Sequence, residues 1–146
     1  MKKILIINGP NLNLLGNREI GVYGKESLSD IENQCLEKCK SLEINCEFVQ
    51  NNNEGEIINL IQSVEKNFDG LIINPAAYTH TSVAILDALR SVTKPKIEIH
   101  LSNIYTREEY RKKSITSEGV DGLICGFGSL SYILAIEALS NLIYNK

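Results

Sequence analysis

Short apolar runs alternate with longer amphipathic stretches along the chain, and that alternation predicts repeated βα units around a parallel sheet. The runs near Lys3 to Asn8, Asn45 to Gln50, Gly70 to Asn74, Lys96 to Leu101 and Gly122 to Gly126 read as strands. Between them Ile31, Cys35, Cys39 and Leu42 recur at helical spacing, as do Ile57, Leu60, Ile61 and Val64, and then Val83, Leu86 and Leu89. A last helix carries Ile133, Leu134, Ile136, Leu139 and Ile143 on a wide apolar face. Capping-box patterns, Ser29 with Glu32 and Thr106 with Glu109, mark helix starts, the second opening a short helix near Arg107 to Lys113. Phe68-Asp69-Gly70-Leu71-Ile72 and Val120-Asp121-Gly122-Leu123-Ile124 echo one another as turns into strands, without the period of a solenoid. No linker or low-complexity segment divides the 146 residues, so a single α/β domain is expected over 1–146.

One connection is out of proportion. From Gly9 to Ser27 the chain far exceeds the roughly 2–6 residues of an ordinary βα loop. Long glycine-punctuated loops at this sheet edge often close over ligands, so residues 10–26, which include Arg18 and Tyr23, are expected to form a lid.

Composition narrows the class. Hydrophobic content of 43% and charge of 23% describe a soluble globular protein. A net charge of −3, with no basic run or aromatic platform, argues against nucleic acid as a partner. Cys35, Cys39, Cys46 and Cys125 form no Cys-x-x-Cys pair and have no histidine nearby, so no metal is expected and free thiols suit a reducing cytoplasm. The apolar stretch Ile4 to Ile7 is too short for a signal sequence, and nothing approaches a membrane span, so a cytoplasmic protein without membrane partners is expected.

The chemistry gathers around the only two histidines, both at the ends of expected strands, where open α/β sheets bind ligands. Glu98 and His100 leave the same face of their strand, opposite Ile97, Ile99 and Leu101. A buried polar pair in a strand is costly unless satisfied, and a carboxylate orienting an imidazole for proton transfer gives it a purpose. Tyr23 can serve as a general base only as tyrosinate, which a neighbouring cation such as Arg18 would stabilise, and His100 would supply the matching acid. Asn11, Asn74, Ser102 and backbone N–H groups at the Thr79 and Ser102 turns are candidates to hold a carboxylate, hydroxyls or an oxyanion, with Arg111 as a cationic anchor. Base, acid and oxyanion donors, without a metal cluster or an activated Ser or Cys, suggest proton abstraction next to a carbonyl with elimination of a poor leaving group. Taken singly the pieces have plain structural readings: His80 as a helix-start residue, Tyr23 as a loop anchor, Asp87 and Arg111 as solvated helix charges.

Taken together, the residues resemble the type II 3-dehydroquinate dehydratases, the small dehydroquinases of the shikimate pathway, over essentially the whole chain. The likeness rests on Asn8-Gly9-Pro10-Asn11-Leu12-Asn13-Leu14-Leu15-Gly16, Arg18-Glu19 followed by Tyr23-Gly24, Asn74-Pro75 through Ala77-Tyr78-Thr79-His80-Thr81-Ser82, Glu98 through Asn103, Arg107-Glu108 with Arg111, and Gly126-Phe127-Gly128. It implies a flavodoxin-like, doubly wound five-stranded parallel sheet of order 2-1-3-4-5, a dodecamer of four trimers, no cofactor, and anti elimination of water from 3-dehydroquinate through an enolate. By motif position Tyr23 resembles the base, Arg18 the cation that keeps it ionised, His100 the acid, Glu98 the residue that fixes its imidazole, and Asn11 the holder of a water at the enolate. Asn74, His80, Leu101, Ser102 and Arg111 match substrate-binding positions, and Asp87 matches a residue reaching a neighbouring subunit's cleft. Ile20 stands where proline is common, Ala76 where glycine is common, and Ser131 where glycine often occurs.

Other functions of such folds fit less well. A phosphoryl-accepting domain needs acidic residues where Asn8 and Asn74 stand and a lysine where Gly126 stands. A flavin or dinucleotide binder wants a phosphate loop that Pro10-Asn11-Leu12-Asn13-Leu14 does not offer. An imine-forming dehydroquinase wants a lysine at a strand's carboxyl end, and none is found.

Overall fold

The structure, a computed structural model, describes residues 1–145. In chain order the elements are β1 (Lys3–Asn8), α1 (Ile20–Tyr23), α2 (Leu28–Ser41), β2 (Asn45–Gln50), α3 (Glu54–Asn67), β3 (Gly70–Asn74), α4 (Val83–Arg90), β4 (Lys96–His100), β5 (Gly122–Cys125) and α5 (Leu130–Tyr144). All strand pairs are parallel and the order is β2-β1-β3-β4-β5, as the resemblance implies. Alternation along the strands divides the core in two. Ile4, Ile6, Ile72, Ile97 and Ile99 meet α2 and α5, while Leu5, Ile7, Leu71 and Ile73 meet α3 and α4. Each such side chain contributes about 1.5–3 kcal/mol by leaving water, so the two faces together hold the strands in register.

The echoing Asp-Gly turns do the same work twice. Asp69 accepts the N–H of Lys3 at 2.9 Å and Asp121 that of Lys96 at 2.8 Å, so each carboxylate satisfies the first donor of a neighbouring strand.

Four local expectations change. The capping box of α2 is Ser27 with Asp30, their side chains each accepting the other's backbone N–H at 3.0–3.1 Å, because the same serine-to-acid spacing is met two residues earlier than Ser29 with Glu32. Thr106 caps nothing: its hydroxyl donates to the Asn103 carbonyl at 2.9 Å, and only a single 3-10 turn, Glu109–Arg111, forms where a short helix was expected. On α4, Val83 faces solvent and Ile85 and Ala88 turn inward with Leu86 and Leu89, following a start capped by Ser82. On α5, Leu134 is exposed while Tyr132 and Ala135 are buried.

The carboxyl ends of β1, β3 and β4 lie side by side. Gly9 donates to the Asn74 carbonyl at 2.8 Å, and a Cβ there would stand 2.6 Å from the Pro75 carbonyl oxygen. Only glycine lets the connections after β1 and β3 lie this close, and the residues beside the contact, Pro10 with Asn11 and Asn74 with Ala76, line one cleft.

Candidate active site

The cleft at those strand ends has a volume of about 150 Å³, below the roughly 300–1,000 Å³ of drug-sized pockets, and suits a small polar molecule. Asn11, Arg18 and Tyr23 from the long first connection line it, with Asn74 and His80 at and beyond the end of β3 and His100, Leu101, Ser102 and Arg111 at and beyond the end of β4. Two of the expected residues are not on its wall. Glu98 lies behind His100, and Asp87 is exposed on α4, away from the cleft of its own chain.

Within the first connection, Gly16 and Gly24 have φ of +90° and +89° and frame the one-turn helix α1 that carries Tyr23. The Tyr23 hydroxyl accepts a hydrogen bond from Arg107 Nη1 at 2.7 Å, and the guanidinium carbons of Arg107 and Arg18 lie 5.0 and 5.3 Å from its ring centroid. Arg18 itself pairs with Glu19 at 2.7 Å. The cation bonded to the tyrosine oxygen is therefore Arg107, for which sequence reasoning assigned no role. Its position in the polar stretch after β4 was the available signal.

On the other side, His100 Nε2 rests on Glu98 Oε2 at 2.8 Å. Glu98 is fully buried and also accepts the hydroxyls of Ser114, at 2.7 Å, and Thr116. Because a carboxylate only accepts, Nε2 carries a proton and Nδ1 is the imidazole nitrogen left for the cleft. His80 is held in the opposite sense, its Nδ1 donating to the Lys113 carbonyl at 2.8 Å and its Nε2 left as an acceptor. Burial, aided by the charges of His100 and Arg111, pushes the His80 pKa below its usual value despite that bond, so the ring is neutral at pH 7. Arg111 pairs with Glu108 at 2.9 Å. Burial opposes its charge, but Tyr23, Tyr110 and Glu108 outweigh this and raise its pKa.

Asn74 belongs to a buried network. Its Nδ2 donates to the Tyr132 hydroxyl at 3.2 Å, its Oδ1 accepts from Ala76 N–H at 3.2 Å, and Tyr132 in turn donates to Asn8 Oδ1 at 2.6 Å. Tyr132 is wholly buried on α5, and that burial raises its pKa, so it is a neutral hydrogen-bonding strut. Asn11, at φ +69°, is held by its N–H to Asn52 Oδ1 at 3.0 Å. Thr79 is fully buried and its carbonyl accepts from Ile115 N–H at 2.8 Å, while Ala76, Ala77 and His80 of the same turn line the cleft. With three arginines, one neutral histidine and a histidine on a buried carboxylate, the cleft is set up for an anionic, hydroxylated ligand and for proton transfer.

The sequence model of the family described as Dehydroquinase class II matches residues 2–140. The 3-dehydroquinate dehydratase of Caldanaerobacter subterraneus subsp. tengcongensis is 54% identical over 139 residues, covering 95% of this chain and 94% of that protein. The 3-dehydroquinate dehydratase of Clostridium botulinum (strain Kyoto) is 52% identical over 147 aligned positions, covering 100% of both. The crystal structure of a type II dehydroquinase from Butyrivibrio crossotus matches with a TM-score of 0.93 at 51% identity, covering 94% of this chain and 97% of that one.

Proposed function

The chain belongs to the class II dehydroquinase family, and from that premise we propose that its cleft dehydrates 3-dehydroquinate to 3-dehydroshikimate, a lyase step of the shikimate pathway that leads to aromatic amino acids. The observation that carries the reading is the presence in one cleft of a tyrosine hydroxyl bonded to a guanidinium and a histidine seated on a buried carboxylate. As tyrosinate, with Arg107 and Arg18 balancing its charge, Tyr23 removes the proton beside the ketone. The enolate is held by a water on Asn11, and the protonated Nδ1 of His100 delivers a proton to the departing hydroxyl on the opposite face, which makes the elimination anti. Arg111, His80, Asn74 and the Leu101-Ser102 turn hold the carboxylate and ring hydroxyls, and residues 10–26 close as a lid.

No imine or metal enters this scheme. Among the described residues no lysine lines the cleft, and no group of three His, Cys, Asp or Glu is arranged to hold a metal ion. The assembly in this reading is a dodecamer of four trimers in which Asp87, too far along α4 to serve its own cleft, reaches a neighbour's. A cytoplasmic setting fits the four free cysteines, and among the described residues no helix is long and apolar enough to cross a membrane.

The test is an ultraviolet assay with 3-dehydroquinate, whose product is a conjugated enone acid. Turnover should proceed without added cofactor and survive EDTA, and Tyr23→Phe should nearly abolish it while a product-like inhibitor still binds within a few-fold. Full turnover by Tyr23→Phe would remove the tyrosine from the reaction.

A further inference from the structure

Glu98 is held by more than its histidine. Oε2 receives both His100 Nε2–H and the Ser114 hydroxyl, and Oε1 receives the hydroxyl of Thr116, a fully buried side chain. The direction of the Ser114 hydroxyl is set as well, because its oxygen accepts Ser117 N–H at 3.0 Å and so turns its proton toward the carboxylate. The backbone of the same segment is tied down by Ile115 N–H to the Thr79 carbonyl at 2.8 Å, and by the Lys113 carbonyl that receives His80 Nδ1 at 2.8 Å. One short stretch, Lys113 to Ser117, thus touches the supports of both histidines.

We propose that Thr116 and Ser114 are positioning residues for the acid: by occupying both oxygens of Glu98 they stop the carboxylate from turning about its Cγ–Cδ bond, and this fixes the ring plane and tautomer of His100. A carboxylate bonded through one oxygen only can rotate and take its hydrogen bond with it. One pinned at both oxygens cannot, and the Nδ1 proton then points along a single line into the cleft. If the hydroxyls served only to satisfy a buried charge, their loss would lower stability and leave the histidine's behaviour in the folded protein unchanged.

The proposal rests on the dehydratase reading for its kinetic consequence but not for its structural one. In Thr116→Val, which keeps the shape and removes the donor, kcat should fall about tenfold or more with KM within about twofold, and Thr116→Ser should restore kcat to within about threefold. In a Glu98→Gln background the same substitution should add less than about twofold, since its effect passes through the carboxylate. Independently of substrate, 15N NMR of the neutral His100 ring should show the single Nε2–H tautomer in the native protein and a mixture of tautomers in the variant. If Thr116→Val does not fold, Thr116→Cys, which puts a much weaker donor at Oε1 of Glu98, carries the same expectations. A folded variant with wild-type kcat, an undiminished loss in the Glu98→Gln background, or an unchanged His100 tautomer overturns the proposal. If the native protein does not turn over 3-dehydroquinate, it is the dehydratase reading that fails, and the NMR comparison still decides this one.

Discussion

Replacing Arg107 by glutamine isolates the contact that most distinguishes the folded site from its sequence. The Arg107 guanidinium bonds the Tyr23 oxygen at 2.7 Å and its side chain is only 12% exposed, so the interaction is little screened. A hydrogen bond to a charged group contributes about 1.5–3 kcal/mol net, and Tyr23 carries its full negative charge only as the base. At about 1.36 kcal/mol per tenfold, loss of this contact should lower kcat about 10- to 150-fold. KM should change much less, because the lost bond is to the enzyme's own tyrosine. Arg107→Lys, a point charge without the planar fork, should recover part of the rate. Steady-state kinetics by ultraviolet absorbance give these ratios. Deuterium at the abstracted position should slow the glutamine variant more than the native enzyme, because proton removal becomes more limiting. A variant within about threefold of native kcat, with an unchanged isotope effect, would show that Arg107 does not support the base; the threshold sits well below the charged-bond range.

Ala76 has φ +53°, which costs a non-glycine residue about 1 kcal/mol, partly offset in Ala76→Gly by a more flexible unfolded chain. The variant should gain about 0.5 kcal/mol, or about 1–2 °C in Tm, and a loss in urea unfolding would mean that methyl packing outweighs strain. Since the folded-state pKa of His80 lies below 6.5, the unfolded chain binds more protons just under that pH, and stability should fall as pH drops through that window. His80→Gln should flatten that slope, and an NMR titration midpoint above 6.5 would contradict the assignment. Asp87→Ala and Tyr23→Phe, each inactive alone, should recover activity in mixed oligomers of confirmed composition, whereas a fully active monomer would refute a shared cleft.

Most of the architecture was legible in the chain, for a physical reason. A strand covered on both faces must be apolar along its middle, and Lys3–Asn8 and Gly70–Asn74 begin and end where the apolar run does, while Asn45–Gln50 lies at the sheet edge with Asn45 and Glu47 exposed. Burial also made Glu98 with His100 conspicuous, since two polar groups inside such a strand require partners. Boundaries set by competing local bonds were not legible. The sequence spacing pointed to Ser29 with Glu32 as the start of α2, and the reciprocal bonds of Ser27 and Asp30 place it at Ser27.

The strands, the helices and the strand-end residues from which a site is built are written along the chain, because periodicity and burial act on sequence neighbours. Which side chains meet within that site is set by the packing of elements in three dimensions. Arg107 reaches Tyr23 from 84 residues away, Tyr132 joins Asn8 to Asn74 from α5, and Ser114 and Thr116 close on Glu98 from beyond the end of β4. A side chain's partner in such pairs depends on the distance between elements and on the path of irregular connections, and hydrophobic periodicity carries no record of either.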